Sequence, residues 1–515
     1  MTRRVDIIGG GPGGAFAARL LALRHPDWTV RLFERLPPDD TFGFGVGLTH
    51  GLVSSLGDAD PEVLERLMAE VFSFQGASFD LPQGLVNFGQ FHSGAVRRSK
   101  LLRILLDSAA EAGAEVVIGQ SISVDELVDG ADLVIGADGL SSATRAKFAD
   151  VLAPQTHVGR GAFIWCGGEV ELDGTVFMPV ETPAGTFVAH AYSYDRGLAA
   201  LVIEASQETV ERAGFTDRTW ASESDSDVEA LEYLSEAFAP LLKGGKLFGN
   251  RSRWGHFTTL TCARWYHDNV VLLGDAVATA HPSLGSGTKL ALESAIALAD
   301  AIDAGGDEPL VEALPRYEAA RRPKIERLQE AAMRSQLWWE SFTIRSELSP
   351  SRLAVAYLSR AGVVSLADVA TMAPELARQA AAEFAGVDRG AVALDELVSW
   401  VLTKPLDTDR TQFPSRVVSN SVGSVATVGV RSGDAWSAEA TQYLEIAHGH
   451  VRSGADVVCL TGGNTRPEVL DRLAVAERLR HELPVPVGVA VPDREVDLAA
   501  AGLIAGRIDL VWTAS

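Results

Sequence analysis

The feature that most limits what this chain can fold into is a strand that runs without a spacer into a glycine turn. Val5-Asp6-Ile7-Ile8 is a short apolar strand, and Gly9-Gly10-Gly11-Pro12-Gly13-Gly14 follows at once, with Gly9, Gly11 and Gly14 in the G-x-G-x-x-G spacing. A helical pattern continues through Leu23, and a second strand from Val30 to Phe33 is closed by Glu34. The glycines serve three physical ends, namely a tight turn, close approach of backbone N–H groups to a pyrophosphate, and close packing of helix on strand. The helix N-terminus faces the phosphates with its partial positive charge. Glu34 stands twenty residues after Gly14, where an acidic side chain accepts hydrogen bonds from the adenosine ribose. A glycine triplet alone says little; in the order strand, turn, helix, strand, acid it specifies a nucleotide-binding unit.

Composition narrows the ligand. The 515 residues, 47% of them hydrophobic, suffice for two or three domains with sizeable cores. A net charge of -23 opposes binding to nucleic acid or an anionic membrane surface, because both repel it. A polyanionic small ligand then requires a local cluster of cations. The three cysteines, Cys166, Cys262 and Cys459, lie far apart in no metal-ligand spacing, which suits a reducing cytoplasm and no metal site. The apolar run behind Arg3 and Arg4 is too short for a signal peptide or a membrane span, so a soluble cytoplasmic protein is expected.

Further along, Thr41-Phe42-Gly43-Phe44-Gly45-Val46-Gly47 alternates glycines with apolar residues, which suits close passage over a flat ligand or an ordinary irregular loop. A helix is expected from about Asp60 to Phe72. From Val96 to Leu105 a helical pattern sets apolar residues against Arg97, Arg98, Lys100 and Arg103, a solvated basic face or a face for phosphate. Two later strands end in turns. Asp132 to Ile135 enters Gly136-Ala137-Asp138-Gly139, and Val270 to Leu273 enters Gly274-Asp275-Ala276. The second continues into Pro282-Ser283-Leu284-Gly285-Ser286-Gly287-Thr288-Lys289 and a helix from Leu290 to Ile302. Asp275 is placed to bind a sugar-alcohol hydroxyl, and Gly285 and Gly287 open a helix whose N–H groups face negative charge on a bound ring. Between them, residues 155 to 265 alternate as strands, an antiparallel sheet suited to one wall of a pocket. From Glu308 to Trp339 the pattern is helical, and its cations either pair with the helix's own acids or, at Arg321, Arg322 and Lys324, await a phosphate.

Gly9, Gly11, Gly14 and Glu34, then Asp138-Gly139, then Gly274-Asp275 with Pro282, Gly285 and Gly287 together resemble the single-component FAD-dependent aromatic hydroxylases of the p-hydroxybenzoate hydroxylase type over about residues 1 to 345. The resemblance implies FAD with its pyrophosphate on Gly11, Pro12, Gly13 and Gly14, its ribose on Glu34, its ribityl chain near Asp275 and its ring near Pro282 to Gly287. Arg35, Phe44, Gly45, Arg98, Asp138, Gly274, Ser286 and Thr288 complete the expected cofactor contacts. One departure stands out: such hydroxylases commonly have His three residues after the Asp, and here that position is Ala278. A finer likeness, in Phe33-Glu34-Arg35, Asp39 to Val46, Gly285 to Leu290, Arg321-Arg322-Pro323 and Tyr357 to Gly362, is to the hydroxylases of aromatic CoA thioesters that act on salicylyl-CoA and anthraniloyl-CoA.

Past Lys404-Pro405, Arg416 to Asn420 resembles the opening strand of the old-yellow-enzyme barrel, and Ala455 to Asn464, Val485 to Ala490 and Gly506 to Val511 resemble its later strands. About a hundred residues are too few for a barrel of ~200 or more. The expected architecture is therefore α/β: a Rossmann-like FAD domain over 1–345 interleaved with an antiparallel substrate sheet at about 155–265, a helical segment at 346–404, and a truncated barrel at 405–515 that binds no FMN.

The expected activity is hydroxylation of an aromatic acyl-CoA, salicylyl-CoA to gentisyl-CoA first, with NADH or NADPH as reductant and O2 as oxygen source, by a monomer or homodimer. His50, His281 and Pro282 are the residues expected at the reacting ring, although each histidine taken alone suits a structural role. A hydroxylase of a free aromatic or indole compound, or a non-hydroxylating FAD reductase or binding protein, is the competing expectation.

Overall fold

In a computed structural model of the chain, residues 3–89, 92–216, 218–222, 224–285, 287–409, 411–418 and 423–514 are described. The chain divides into two compact units, one of residues 1–75 and 91–336, the other of 76–90 and 337–515.

The first unit is built on a six-stranded sheet. Strand Arg4–Ile8 lies between Thr29–Glu34 and Leu133–Gly136, all parallel, with Glu115–Ile118 outside the former and Val270–Leu272 outside the latter. Short, nearly continuous apolar runs make these strands because both sheet faces are covered. Val5, Ile7, Leu32, Leu133 and Val271 are fully buried. The exception, Asp6, is equally buried and is held by two hydrogen bonds from Arg31, at 2.7 and 2.8 Å. Helix Pro12–Arg24 is buried along nearly its whole length against the sheet's core, which explains its lack of a polar face. Phe16, Leu20 and Leu21 at its centre each contribute roughly 1.5–3 kcal/mol by burial.

A second sheet of the same unit is antiparallel. Pro154–Gly168, longer than the expected strand there, pairs with Leu198–Ser206 and Gly255–Cys262, and Gly185–Asp195 links Leu198–Ser206 to Thr175–Thr182. Helices Gln207–Arg212 and Val228–Ala237 interrupt it in sequence and contribute to its core, where the alternation had suggested strands alone. A small sheet of Gly45–Leu48, His92–Arg97 and Phe72–Gln75 adjoins the loop that follows the second strand.

The second unit contains four parallel strands in chain order, Val425–Gly429, Val457–Thr461, Val487–Pro492 and Leu510–Ala514, joined by helices Ala438–Arg452, Arg466–Glu482 and Val496–Ile504. The first of these strands lies outside the segments expected from the sequence. Arg416 to Val418 runs along the outer edge of the last strand, with Val418 N–H donating to Val511 O at 2.9 Å and Val511 N–H to Arg416 O at 2.8 Å. Ser419 and Asn420, the rest of the expected opening strand, lie outside the described residues.

The structure differs from the expected three-part division. The helices of 346–404 and the strands beyond 405 belong to one unit, joined by contacts such as Leu366 N–H to Asp497 Oδ1 at 3.1 Å. Hairpin Ala77–Leu81 with Gly84–Asn87 belongs there too. The division falls at 336/337, inside the continuous helix Leu314–Glu340, where no break in sequence pattern marks it.

Candidate active site

The glycine turn is shaped by collisions that side chains would cause. Gly9, at φ 104°, donates its N–H to Phe33 O at 2.9 Å, and a Cβ there would strike the Ala137 carbonyl. A Cβ at Gly14 would strike the Gly9 carbonyl oxygen, so this glycine sets helix against strand. Gly13 is closed in by Leu273. Gly11 is the opposite case: nothing lies within 4 Å of where its Cβ would stand. It precedes helix Pro12–Arg24, which has no side-chain cap and no acid in its first turn. Unpaired N–H groups, a dipole and open space therefore coincide at one point, the conditions that a pyrophosphate needs.

Glu34 is half-buried and holds this turn from the side. Its Oε2 accepts from Gly10 N–H at 2.6 Å and its Oε1 from Leu36 N–H at 2.9 Å. Each carboxylate oxygen keeps acceptor capacity for a ribose hydroxyl. Arg35 beside it is exposed. Asp138 acts within its own turn. Its oxygens accept from Ser142 Oγ at 2.6 Å and from Thr144 N–H and Oγ1, both at 3.0 Å, which fixes the Gly139 turn to helix Ala143–Lys147. Arg145, on that helix, donates to Ala276 O at 2.9 Å and so ties the second motif to the third.

In the third motif Gly274 takes φ 63° and Asp275 follows in a 3-10 turn. Asp275 is accessible, yet burial by the surrounding chain raises its carboxyl pKa, opposed by the positive charge of Arg98; an accessible but desolvated group lines a recess. Arg98 is lowered by the same burial, with Asp275 opposing the shift. Its Nε donates to Thr41 Oγ1 at 3.1 Å, its N–H to Phe44 O at 2.8 Å, and its guanidinium lies 4.8 Å from the Phe42 ring centroid. Phe44 itself is buried edge-on against Trp165 and Phe248, and Gly45 gives way to Tyr194. Two residues with no sequence signal complete this wall. Asn250 Nδ2 donates to Thr41 O and Gly43 O, both at 2.9 Å. Tyr192 donates to Gly45 O at 3.0 Å, and burial pushes its phenol up to about 12.

The two expected histidines part company. His281 is 2% exposed and caps the turn Pro282–Leu284, with Nδ1 2.9 Å from Ser283 Oγ and the Phe257 ring edge-on at 4.4 Å. Its Nε2 stands 3.8 Å from Glu204 Oε1, which in turn stands 3.5 Å from His190 Nδ1, a buried histidine–carboxylate–histidine row. His50 is exposed in the first turn of helix His50–Ala59. Thr49, before it, lies 3.2 Å from where a Gly285 Cβ would stand, so the head of that helix borders the Gly285 turn. Pro282 is exposed, Gly287 opens helix Gly287–Asp303 with nothing near its α-carbon's free side, and Thr288 is half-buried. Ser286 lies outside the described residues. Ala278 is buried in the main core, where a histidine would not fit without repacking.

The cations expected to meet a CoA phosphate are corrected by the structure. Arg321 is 3% exposed and committed to Glu293 at 2.9 Å, Ser294 Oγ at 3.1 Å and Leu290 O at 3.2 Å. Arg322 serves Glu318 and the carbonyls of Cys262 and Ala263. Buried partners outcompete solvent for these forks, and only Lys324 stands exposed. Among the described residues there is no metal-binding group of three or more His, Cys, Asp or Glu, and no helix is long and apolar enough to cross a membrane.

Comparison with known proteins bears on this geometry. A family model described as an FAD binding domain matches residues 127–332. A salicyloyl-CoA 5-hydroxylase from Streptomyces sp is 34% identical, covering 99% of this chain and 99% of its own. A 3-hydroxy-4-methyl-anthranilyl-[aryl-carrier protein] 5-monooxygenase from Streptosporangium sibiricum is 35% identical, covering 72% of this chain and 97% of its own. Of solved structures, the tetrameric form of 2-methyl-3-hydroxypyridine-5-carboxylic acid oxygenase superposes with a TM-score of 0.54 at 21% identity, covering 70% of this chain and 96% of that one, which speaks for the fold alone.

Proposed function

The chain belongs to the FAD-dependent aromatic hydroxylases, and from that premise we propose that it hydroxylates an aromatic acyl-CoA thioester, salicylyl-CoA to gentisyl-CoA first, in the cytoplasm. NADH or NADPH would supply the electrons, so that ring C–H, O2, NAD(P)H and a proton give ring C–OH, water and NAD(P)+. The observation that carries the reading is the match to the salicyloyl-CoA 5-hydroxylase across 99% of both chains, against 72% of this chain for the relative named for a carrier-protein substrate. An additional length shared with the CoA-thioester enzyme supports the same substrate class.

The residues fit FAD. Gly11, Gly13 and Gly14 would hold its pyrophosphate, Glu34 its ribose and Asp275 its ribityl hydroxyls, with the open space at Gly11 and the recessed Asp275 as the physical grounds. FAD held by these residues would supply hydride acceptance from the nicotinamide, activation of O2 and oxygen transfer to an electron-rich ring. The chain's own work is positioning. Arg98, anchored by Thr41 and coupled by charge to Asp275, keeps a positive charge at the recess. The apolar wall of Phe44, Trp165 and Phe248 excludes water from one side.

The test is oxygen-dependent NAD(P)H consumption with salicylyl-CoA and a thioester product heavier by one oxygen. Equal turnover of free salicylate would overturn the thioester reading. Consumption without oxygenated product would overturn hydroxylation.

A further inference from the structure

Three arginines of the second unit converge around a single ion-paired carboxylate, Asp509. Arg352, on helix Pro350–Ser359, and Arg416 both lie over the Phe384 ring, at 5.8 and 4.8 Å from its centroid. Arg352 and Arg480 face each other across Gly506: a Cβ on that glycine would stand 3.6 Å from Arg352 Nη2 and 3.9 Å from Arg480 Nη1. Gly506 takes φ 70°, Leu348 Cδ2 lies 3.1 Å from the same Cβ position, and Arg480 Nη1 donates to the Gly506 carbonyl at 3.1 Å.

The negative charge nearby is already engaged. Asp509 receives Arg480 Nε at 2.8 Å and Val487 N–H at 3.1 Å. Glu383 receives the hydroxyls of Ser349 and Ser351 and the amide of Gln379. Arg480 with Asp509 is the cluster's one ion pair among the described residues. Arg352 Nε is held by Ile504 O at 2.8 Å and Arg416 Nη1 by Asp509 O at 3.0 Å, while the buried Arg416 Nε has no hydrogen-bond partner among the described residues. Burial lowers the pKa of Arg352 and of Arg416; the charge of Asp509 opposes the shift at both and that of Glu383 at Arg352, while the charge of Arg480 adds to it at both. In a chain of net charge -23, three guanidiniums held in mutual repulsion at a half-buried site are costly as structure alone.

We propose that Arg352, Arg416 and Arg480 form a phosphoryl-anion site whose ligand is a nucleotide phosphate of the CoA thioester. The choice of CoA rests on the substrate reading above; the anion site itself does not. Guanidinium forks and a phosphate ester match in charge and shape. NADPH carries the same chemistry in its 2′-phosphate, so the two sources need separating.

The experiment measures binding of CoA, dephospho-CoA, NADPH and inorganic phosphate to the FAD-loaded full chain and to Arg352→Gln, Arg416→Gln, Arg416→Lys and Gly506→Ala, with melting curves to confirm folding. CoA affinity is expected to fall about tenfold in each Gln variant, with Arg416→Lys, which keeps charge and folding, between them and the parent. The KM for salicylyl-CoA rises with it. Equal CoA, NADPH and phosphate affinities in parent and folded Gln variants would overturn the site. Loss confined to NADPH keeps the site and reassigns its ligand. Loss of CoA affinity without turnover of salicylyl-CoA would sink the substrate reading and leave the site standing, whereas turnover with unchanged CoA affinity would do the reverse.

Discussion

Two parallel strands in this molecule end in glycine turns that lead into helices, and they treat an anion in opposite ways. After Arg4–Ile8, Gly11 opens onto empty space and helix Pro12–Arg24 begins with neither a side-chain cap nor an acid. After Val457–Thr461, Gly462 and Gly463 lead to helix Arg466–Glu482, and the same position is filled from within. A Cβ on Gly463 would strike the Glu468 carboxylate, which accepts from Thr465 N–H at 2.9 Å and Oγ1 at 2.6 Å. Arg472, 1% exposed, donates to Gly463 O at 2.5 Å and Ala490 O at 2.8 Å. The lesson is that a glycine turn before a helix becomes a phosphate site only when the protein leaves the N-terminus uncapped. A capping box supplies the anion itself.

The largest effect should come from separating the two roles of glycine in the open turn. Gly14→Val drives a side chain into the Gly9 carbonyl, and FAD affinity should fall at least about a hundredfold because the cradle itself shifts. Gly11→Ala meets nothing within 4 Å and its φ of -63° suits alanine, so the melting temperature should hold while FAD affinity falls about tenfold. Flavin retention after gel filtration, read beside a melting curve, distinguishes them. Equal loss of stability in both variants would mean that the open space at Gly11 is not the phosphate seat.

Asp275 gives the next effect, and with opposite signs for stability and binding. A carboxyl whose folded pKa is raised favours the folded chain fully below the ordinary carboxylate range and loses that contribution as pH climbs through the raised value. Asp275→Asn has no charge to desolvate, so the FAD-free protein should melt higher than the parent at neutral pH and converge with it in acid. FAD affinity should nevertheless drop about tenfold or more through the lost ribityl acceptor. A variant that melts lower at neutral pH would show that Arg98 outweighs burial at this carboxylate.

The motifs confined to one strand and its turn were legible in the sequence: Gly9 to Glu34, Asp138-Gly139 and Gly274-Asp275 each stand on the strand end expected of them. What was not legible is pairing over long separations. Asn250 holds Thr41 and Gly43 across about two hundred residues, and nothing local to any of them announces it. Arg321 was a cation in a helical pattern until the fold placed Glu293 and Ser294 around it. Helix His50–Ala59 was missed because Gly51, Ser54, Ser55 and Gly57 dilute its apolar face, although Thr49 caps it through Leu52 N–H. Strand Val425–Gly429 was missed because one short alternating run carries little signal.

The smallest effect tests the closed turn. Glu468 is exposed at its helix start, and hydrogen bonds from the Thr465 hydroxyl and N–H hold its carboxyl below the usual carboxylate range. Its contribution is therefore present above the ordinary carboxylate pKa and lost as pH falls through the lowered one. Glu468→Ala should lower the melting temperature at neutral pH by no more than a few degrees and leave it unchanged in strong acid. If the comparison holds, removing that carboxylate also will not create a flavin site, because Arg472 remains bound to Gly463 O and Ala490 O and offers no fork to a phosphate. Parent and variant should both carry one FAD per chain and no FMN, by acid extraction and chromatography of the released flavin. A second flavin in the variant alone would show that the second unit is a phosphate site held shut by its own glutamate, and one in the parent would show that it was never shut.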